Sequence, residues 1–434
     1  MFAYYIELAL RSFRRSRGLT ALMLLTIAIG VAACMTTLTI FHVLSRDPIP
    51  HKSDRLFNVQ LDAGALRDGF VPGGEPIYQL TRFDAEALLR EARGKRQVMM
   101  SGGGVAVTPP DGKERPFLAT GRWASSDFFA MFEAPFQYGG GWTREDDAGE
   151  GRVVVLSRRL NDRLFGGADS RGRTLRLRDK ELRVIGVLDH WRPVPHYFDI
   201  SLGAYSETAE LYAPLSTAIA LKFGSSGNVN CWGNVNGDMR ALQTPCAWLQ
   251  YWVELGQPGD APAYKAYLEQ YSDQQRQAGR YERPTNVRLR PVMDWLSSQQ
   301  VVPNDVGLQL WLSFGFLVVC LVNTVGLQLA KALRRSGEIG VRRALGAPRR
   351  QIFLQFLVEA GSLGLAGGVL GLALTGLGIW AVRHGSSDYA ATVQLDLPML
   401  ATTLGVALAA SLLAGLLPAW RACQVQPALQ LKTQ

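Results

Sequence analysis

Residues 19–44 read LTALMLLTIAIGVAACMTTLTIFHVL, twenty-six residues without a formal charge. A helix of about 20 consecutive apolar residues crosses the hydrocarbon core of a bilayer. Three further runs follow: Val306 to Ala330, Gln351 to Val382 and Pro398 to Trp420, with Glu359 the one formal charge among them. One such run could be a buried core helix, but four in a chain of 434 residues predict four transmembrane helices. Composition agrees, since 47% hydrophobic and 19% charged residues average to a mean hydropathy of +0.03. That balance excludes a disordered chain, a collagen-like chain and a small disulfide scaffold.

The flanks of these runs set an orientation, because short cytoplasmic segments carry the excess of Lys and Arg. Arg11, Arg14, Arg15 and Arg17 precede the first run. Lys331, Arg334, Arg335, Arg342, Arg343, Arg349 and Arg350 separate the second from the third, and Arg421 and Lys432 follow the fourth. These thirteen cations stand against Glu7 and Glu338 alone, a net +11. The whole chain carries +9, so the remainder carries −2. The basic balance is therefore a topology signal and not a nucleic-acid footprint. Both termini are expected in the cytoplasm, and residues 45–305 outside it. Residues 1–17 place Ala3, Ile6, Ala9, Leu10 and Phe13 at helical spacing, as expected of an amphipathic helix on the inner membrane face. Val31-Ala32-Ala33-Cys34 resembles a lipoprotein cleavage box, but the apolar run continues ten residues past Cys34. One uncleaved span is the expectation.

The long middle segment mixes strand and helix signals and is expected to be α+β. RVVVL (Arg152 to Leu156) has the pattern of a buried strand. Ser157 then caps a helix to Phe165, which Gly166-Gly167 stops. Arg173 to Arg178 and the stretch through Val187 alternate as a hairpin about an Asp179-Lys180 turn. Phe83 to Ala92 and Ala263 to Gln277 read as helices. Lys222 to Asp238, rich in Gly, Asn and Ser, reads as an exposed loop. Of five cysteines, only Cys231 and Cys246 fall in this segment. An oxidising compartment allows a disulfide between them, and two free thiols are the alternative.

No GxxxxGK[ST] phosphate loop, G-x-S-x-G elbow, H-E-x-x-H helix or paired C-x-x-C occurs in the 434 residues, so no enzymatic activity and no bound cofactor are expected of the chain. The nearest approach to a metal set is Asp189, His190, His196 and Asp199, which lacks regular ligand spacing. The Arg-rich stretch 152–183 is interleaved with Asp and Glu, as in a solvated face. Glu359 lies inside a span, where a carboxylate is costly. Structural pairing, a coupling role and a proton relay are its alternatives. Gly364/Gly368 and Gly367/Gly371 form overlapping GxxxG pairs that permit close helix approach, within or between subunits.

Three stretches, GEIGVRRALGAPRRQIFLQFLVEA (Gly337 to Ala360), RVVVLSRRLNDRLFGG with GRTLRLRDKELRVIGVL (within Arg152 to Leu188) and LLPAWRACQVQPALQLK (Leu416 to Lys432), resemble the MacB/FtsX-like ABC transporter permeases, the family that includes the lipoprotein-releasing LolC/LolE group. Residues 220–280 match least. The resemblance implies an α-helical membrane protein with four transmembrane helices plus a large α+β extracytoplasmic domain of MacB-like, two-subdomain form. The expected order is a cytoplasmic amphipathic helix (1–17), a first span (18–44) and a periplasmic domain (45–305). A core subdomain (about 50–190 plus 285–300) and an inserted subdomain (about 191–284) would make up that domain. A second span (306–330), a cytoplasmic coupling region (331–350), a third span (351–382), a short periplasmic loop (383–397), a fourth span (398–420) and a cytoplasmic tail (421–434) would complete the chain.

The resemblance also implies partners: a separate ABC ATP-binding subunit holding ATP and Mg, and a second permease subunit, identical or paralogous. A periplasmic adaptor and an outer-membrane channel are plausible additions; nucleic acid is not a partner. By position, Glu338, Ile339, Arg342, Arg343 and Leu345 would lie on the coupling helix, bracketed by Gly337 and Pro348, with charges to pair with the ATPase surface and Ile339, Val341 and Leu345 to pack. The implied action is mechanotransmission across the inner membrane, driving export or extraction. The alternative is an FtsX-type transmembrane relay controlling a periplasmic enzyme, and such relays usually carry a smaller external domain.

Overall fold

The computed structural model describes residues 2–67, 69–110, 112, 114–201, 203–233, 235, 237–385 and 396–424. The chain runs α1 (Phe2–Arg15), α2 (Arg17–Leu44), β1 (Leu56–Leu61), β2 (Leu80–Thr81), α3 (Arg82–Glu91), β3 (Arg96–Thr108), β4 (Phe117–Ala124), α4 (Phe128–Phe132), β5 (Phe136–Gly139), α5 (Arg144–Ala148), β6 (Val153–Leu156), α6 (Arg158–Phe165), β7 (Thr174–Leu177) and β8 (Lys180–Leu188). It continues through β9 (Leu211–Pro214), α7 (Leu215–Ala220), β10 (Asn230–Cys231), β11 (Cys246–Glu254), α8 (Ala261–Gln277), β12 (Val287–Pro291) and α9 (Val292–Ser298). The last helices are α10 (Asn304–Arg334), α11 (Ser336–Ala344), α12 (Arg349–Arg383) and α13 (Leu397–Cys423). Two compact units result: Met1–Ser45 with Val302–Gln434, and Arg46–Val301.

In the first unit, α2, α10, α12 and α13 are each long and apolar enough to cross a membrane. Except at Leu44, their ends reach one to four residues beyond the apolar runs, into the polar and charged flanks. Met23, Ile27, Val31 and Met35 of α2 pack with Leu317 of α10, Leu363 of α12 and Ala407 of α13. The expected loop at 383–397 falls largely outside the described residues, as does the tail beyond Gln424.

The second unit is built on a twelve-stranded sheet in the order β12-β1-β11-β3-β4-β9-β6-β8-β5, with β2 and β10 on β11, and β7 on β3 and β8. Most pairings are antiparallel; β4 with β9 and β6 with β8 are parallel. Buried apolar side chains from these strands and from α3, α6, α7 and α8 form one core. Ser157 accepts the Leu160 N–H at the start of α6, and Gly166 ends that helix at φ 65°. The β7–β8 hairpin pairs Leu177 with Lys180. Its two-residue turn is therefore Arg178-Asp179, one residue earlier than alternation suggests, with Arg178 in the left-handed region.

The expected division at 191–284 does not follow the strand pairing. β9 and β11 both come from that range, yet β11 lies between β1 and β3 and β9 between β4 and β6. The local pattern marks strands but is blind to such long-range partners. Gly103 shows how tightly the centre closes. A Cβ there would lie 2.1 Å from both the Gly224 carbonyl and the Trp123 indole nitrogen, which are themselves hydrogen-bonded at 2.9 Å.

Candidate functional site

The short helix α11 joins two membrane helices. Pro348 precedes the first residue of α12, and Gly346 breaks the chain at φ 96°. Glu338 and Arg342, one turn apart, pair at 2.7 Å, and Arg15 of α1 reaches Glu338 at 3.6 Å. Arg343 Nη1 donates to the Cys423 carbonyl at the end of α13, at 3.1 Å. Such a cation satisfies a terminal carbonyl and complements the helix dipole. Ile339 is buried against Ala332, Ile352, Ala422 and Cys423. The amphipathic pattern of α11 thus serves its own bundle on that face. The outward apolar residues are Val341 and Leu345, four positions apart and so neighbours on one face, with Leu345 83% exposed.

Glu359 of α12 is 5% exposed. Its carboxylate accepts from Lys331 Nζ at 2.5 Å and from Ser12 Oγ at 2.5 Å, with Arg335 at 3.6 Å. Lys331 belongs to α10, Ser12 to α1, and Arg335 directly precedes α11. One carboxylate therefore gathers three helices and the root of a fourth. Glu359 alone could be flagged from sequence; its partners could not, because nothing local ties Ser12 to a residue 347 positions away.

The two GxxxG pairs serve two neighbours within this chain. A Cβ on Gly364 would lie 2.5 Å from Ser411 Cβ, and one on Gly368 2.9 Å from Ala407 Cβ, both on α13. On Gly367 it would lie 2.9 Å from Ile27, and on Gly371 3.2 Å from the Ala28 carbonyl, both on α2. Ser411 Oγ also donates to the Ala360 carbonyl. Helix α12 is thus the axis of the bundle, its small residues letting two other backbones approach.

In the second unit, Cys231 and Cys246 are disulfide-bonded, with Cα atoms 4.0 Å apart on paired strands β10 and β11. The four candidate metal ligands do not converge: Asp189 pairs with Arg158 at 2.8 Å, while Asp199 pairs with Arg122. Among the described residues no cluster could hold a metal ion. The Arg-rich stretch is partly paired, as in Arg163 with Glu114 and Arg171 with Asp169. Glu254 at the end of β11 is a buried group that sequence reading missed. Burial alone would raise its pKa, but hydrogen bonds from Arg96, Lys52 and Lys95 hold the carboxyl below its usual range.

Residues 20–271 match the MacB-like periplasmic core domain, and residues 310–427 the FtsX-like permease C-terminal domain. A macrolide export ATP-binding/permease protein MacB from Syntrophobacter fumaroxidans is 25% identical over 471 residues, covering 98% of this chain and 63% of the relative. A pyoverdine export ATP-binding/permease protein PvdT from Pseudomonas syringae pv. tomato is 24% identical over 433 residues, covering 99% and 59%. The chain thus spans about three-fifths of the length of these curated relatives. Among solved structures, the periplasmic region of MacB from Actinobacillus actinomycetemcomitans matches with a TM-score of 0.38 and 15% identity, covering 60% of this chain and 98% of that one.

Proposed function

The chain belongs to the MacB/FtsX-like permease family, and from that membership we propose that it is the transmembrane subunit of an ABC exporter or extractor driven by ATP hydrolysed on a separate nucleotide-binding subunit. In this reading the protein sits in the inner membrane with both termini cytoplasmic and residues 45–305 in the periplasm. Its relatives are named as export proteins, which supports outward movement of cargo. The observation that carries the coupling is α11. It is a short helix held to its own bundle by Ile339 and Arg343, and it presents Val341, Leu345 and the Glu338–Arg342 pair outward. An ATPase docking there would push on a lever rooted at Arg335 and, through Glu359, on α1, α10 and α12. Apart from Glu359, the Asp, Glu, Lys and Arg residues of the four membrane helices lie in their end turns. That distribution suits levers better than a polar conduit. A second permease subunit, identical or paralogous, would complete the assembly.

The test is co-purification of the full chain from its native membrane, followed by identification of the attached ATPase and any second permease. Leu345→Asp combined with Val341→Asp should abolish ATPase attachment while leaving helix content intact. Arg342→Glu should weaken it. A chain that purifies alone, with no ATPase attached and none stimulated by it, would overturn the proposal. So would protease or label accessibility that placed residues 45–305 in the cytosol.

A further inference from the structure

Helix α10 meets its own bundle along one narrow stripe. Ser313, Leu317, Cys320 and Thr324 are buried there, with Thr37 of α2 donating to Ser313 Oγ at 2.7 Å. Most of the helix faces outward, and one residue on that side does not suit lipid. Asn323 is exposed, about three turns before the end of α10. At about 1.5 Å per residue it lies about 12 Å along the helix from Lys331, inside the apolar run Val306 to Ala330. Its single methylene stem cannot carry the amide to the headgroups, as the longer stems of Lys and Arg do. Other polar groups on outward faces are satisfied by their own helix: Thr26 donates to the Leu22 carbonyl and Thr402 to the Pro398 carbonyl, each at 2.8 Å. The Asn323 amide makes no hydrogen bond among the described residues. Hydrocarbon offers it neither donor nor acceptor, and a polar group in that state is costly.

Asn323 also stands on a seam. Leu312, Phe316, Val319, Asn323, Gly326 and Ala330 follow one another in alternating steps of four and three, and every one is exposed. That is the repeat along which two helices wrap in a left-handed supercoil. A Cβ added to Gly326 would meet nothing within 4 Å, so a second backbone can come close beside the amide.

We propose that this seam pairs with the same seam of a second copy of the chain, the two α10 helices parallel and in register, with Asn323 hydrogen-bonded to the partner's Asn323. The inference rests on the reading of α10 as a membrane span in a two-permease assembly; it goes further by fixing the contact and making the second subunit identical. Two copies inserted with the same orientation are related by a two-fold axis along the membrane normal. Their spans run parallel, and equal residues share one depth. A carboxamide carries both donors and an acceptor, so across that axis each amide gives an N–H to the other's oxygen. Lipid tails satisfy neither group, and a helix of different sequence does so only where it carries a polar residue at this same depth.

The test compares Val319 with Val318, neighbours that are 55% and 56% exposed but about 100° apart around the helix. Each is changed to Cys in the full chain, which is purified and reconstituted alone in phosphatidylcholine–phosphatidylglycerol liposomes. After oxidation with copper phenanthroline, dimer is read on a non-reducing gel, with wild type as the background for the buried cysteines. Val319→Cys should cross-link to itself and Val318→Cys should not. Asn323→Leu keeps the helix and should weaken association roughly tenfold, followed by fluorescence energy transfer as the chain is diluted with lipid. Asn323→Gln keeps the carboxamide and should lose less. Equal cross-linking at both positions, or none at either, would overturn the proposal, as would an Asn323→Leu variant that associates like wild type. Cross-linking of Val319→Cys to a different chain in native membranes, with none to itself, would overturn it in favour of a paralogue. ATPase attachment is scored separately: a Val319→Cys cross-link in a chain that binds no ATPase supports the seam while counting against the coupling reading.

Discussion

Replacing Glu359 by Gln removes one negative charge and almost no volume. Lys331 would then be left with its ammonium buried, 2.5 Å from a neutral amide and near Arg335. Removing one partner of a buried pair typically costs about 3–5 kcal/mol, because the surviving charge is uncompensated. Lys331 lies in the last turn of α10 and can extend its head toward water, which places the expected loss near the lower end, about 3 kcal/mol. At about 1.36 kcal/mol per decade, that is more than a hundredfold in the folding equilibrium. Replacing both residues by Met removes the charges together and should be close to neutral, since a packed apolar pair often equals a buried ion pair. The assay is denaturant unfolding of the full chain in micelles, followed by tryptophan emission, over a complete double-mutant cycle. A Glu359→Gln variant within about 1 kcal/mol of wild type would refute the reasoning. So would a double variant whose loss equals the sum of the single losses.

Gly364→Ala places a methyl group where Ser411 stands and should destabilise the bundle by about 1–3 kcal/mol. Gly376→Ala, in open space on the same helix, should be neutral or stabilising by up to about 1 kcal/mol through helix propensity. Thermal unfolding of the two variants side by side checks the contrast. The His196 pKa is depressed from 6.5 to about 4, so the unfolded chain binds the proton more tightly. Its contribution is fully present above about pH 6.5 and is lost as pH falls toward 4, at most about 3 kcal/mol; His196→Phe should flatten the fall in midpoint temperature over that window. Asp147 works in the opposite sense. Burial raises its carboxyl to about 6, so its contribution is present at low pH and declines between about 4 and 6. Asp147→Asn should remove that decline in the same scan. Denatured, unreduced protein should expose three reactive thiols, Cys34, Cys320 and Cys423, and five after reduction.

The four membrane helices could be read almost to the residue, because an uncharged run of more than twenty residues has few competing explanations. The Ser157 cap, the Gly166 stop and β6 were equally legible, since each is set by residues within one turn. What sequence hid was non-local. β11 reads as an apolar run, but its place between β1 and β3 depends on partners about 150 and 195 positions away. The hairpin turn slipped by one residue because Arg178 adopts a left-handed conformation that its side chain does not advertise. For Ile339, periodicity marks an apolar position without saying that Ala332, Ile352, Ala422 and Cys423 are what it meets. His196 reads in sequence only as part of an irregular Asp/His set, and its burial beside Arg122 is fixed by long-range packing that no local pattern announces.

β1 and β12 are hydrogen-bonded neighbours through five consecutive residue pairs, although about 230 positions separate them. The great excursion between the second and tenth helices is therefore closed within the excursion itself, like a purse drawn shut at its neck. Loop-closure entropy, which grows with the length left free, is settled by that seam. The bundle need tolerate only two short leads: from Leu44 to Leu56 on one side, and from Pro291 through α9 to Asn304 on the other. Relatives could then exchange, enlarge or trim everything enclosed by the seam without disturbing how the membrane helices assemble.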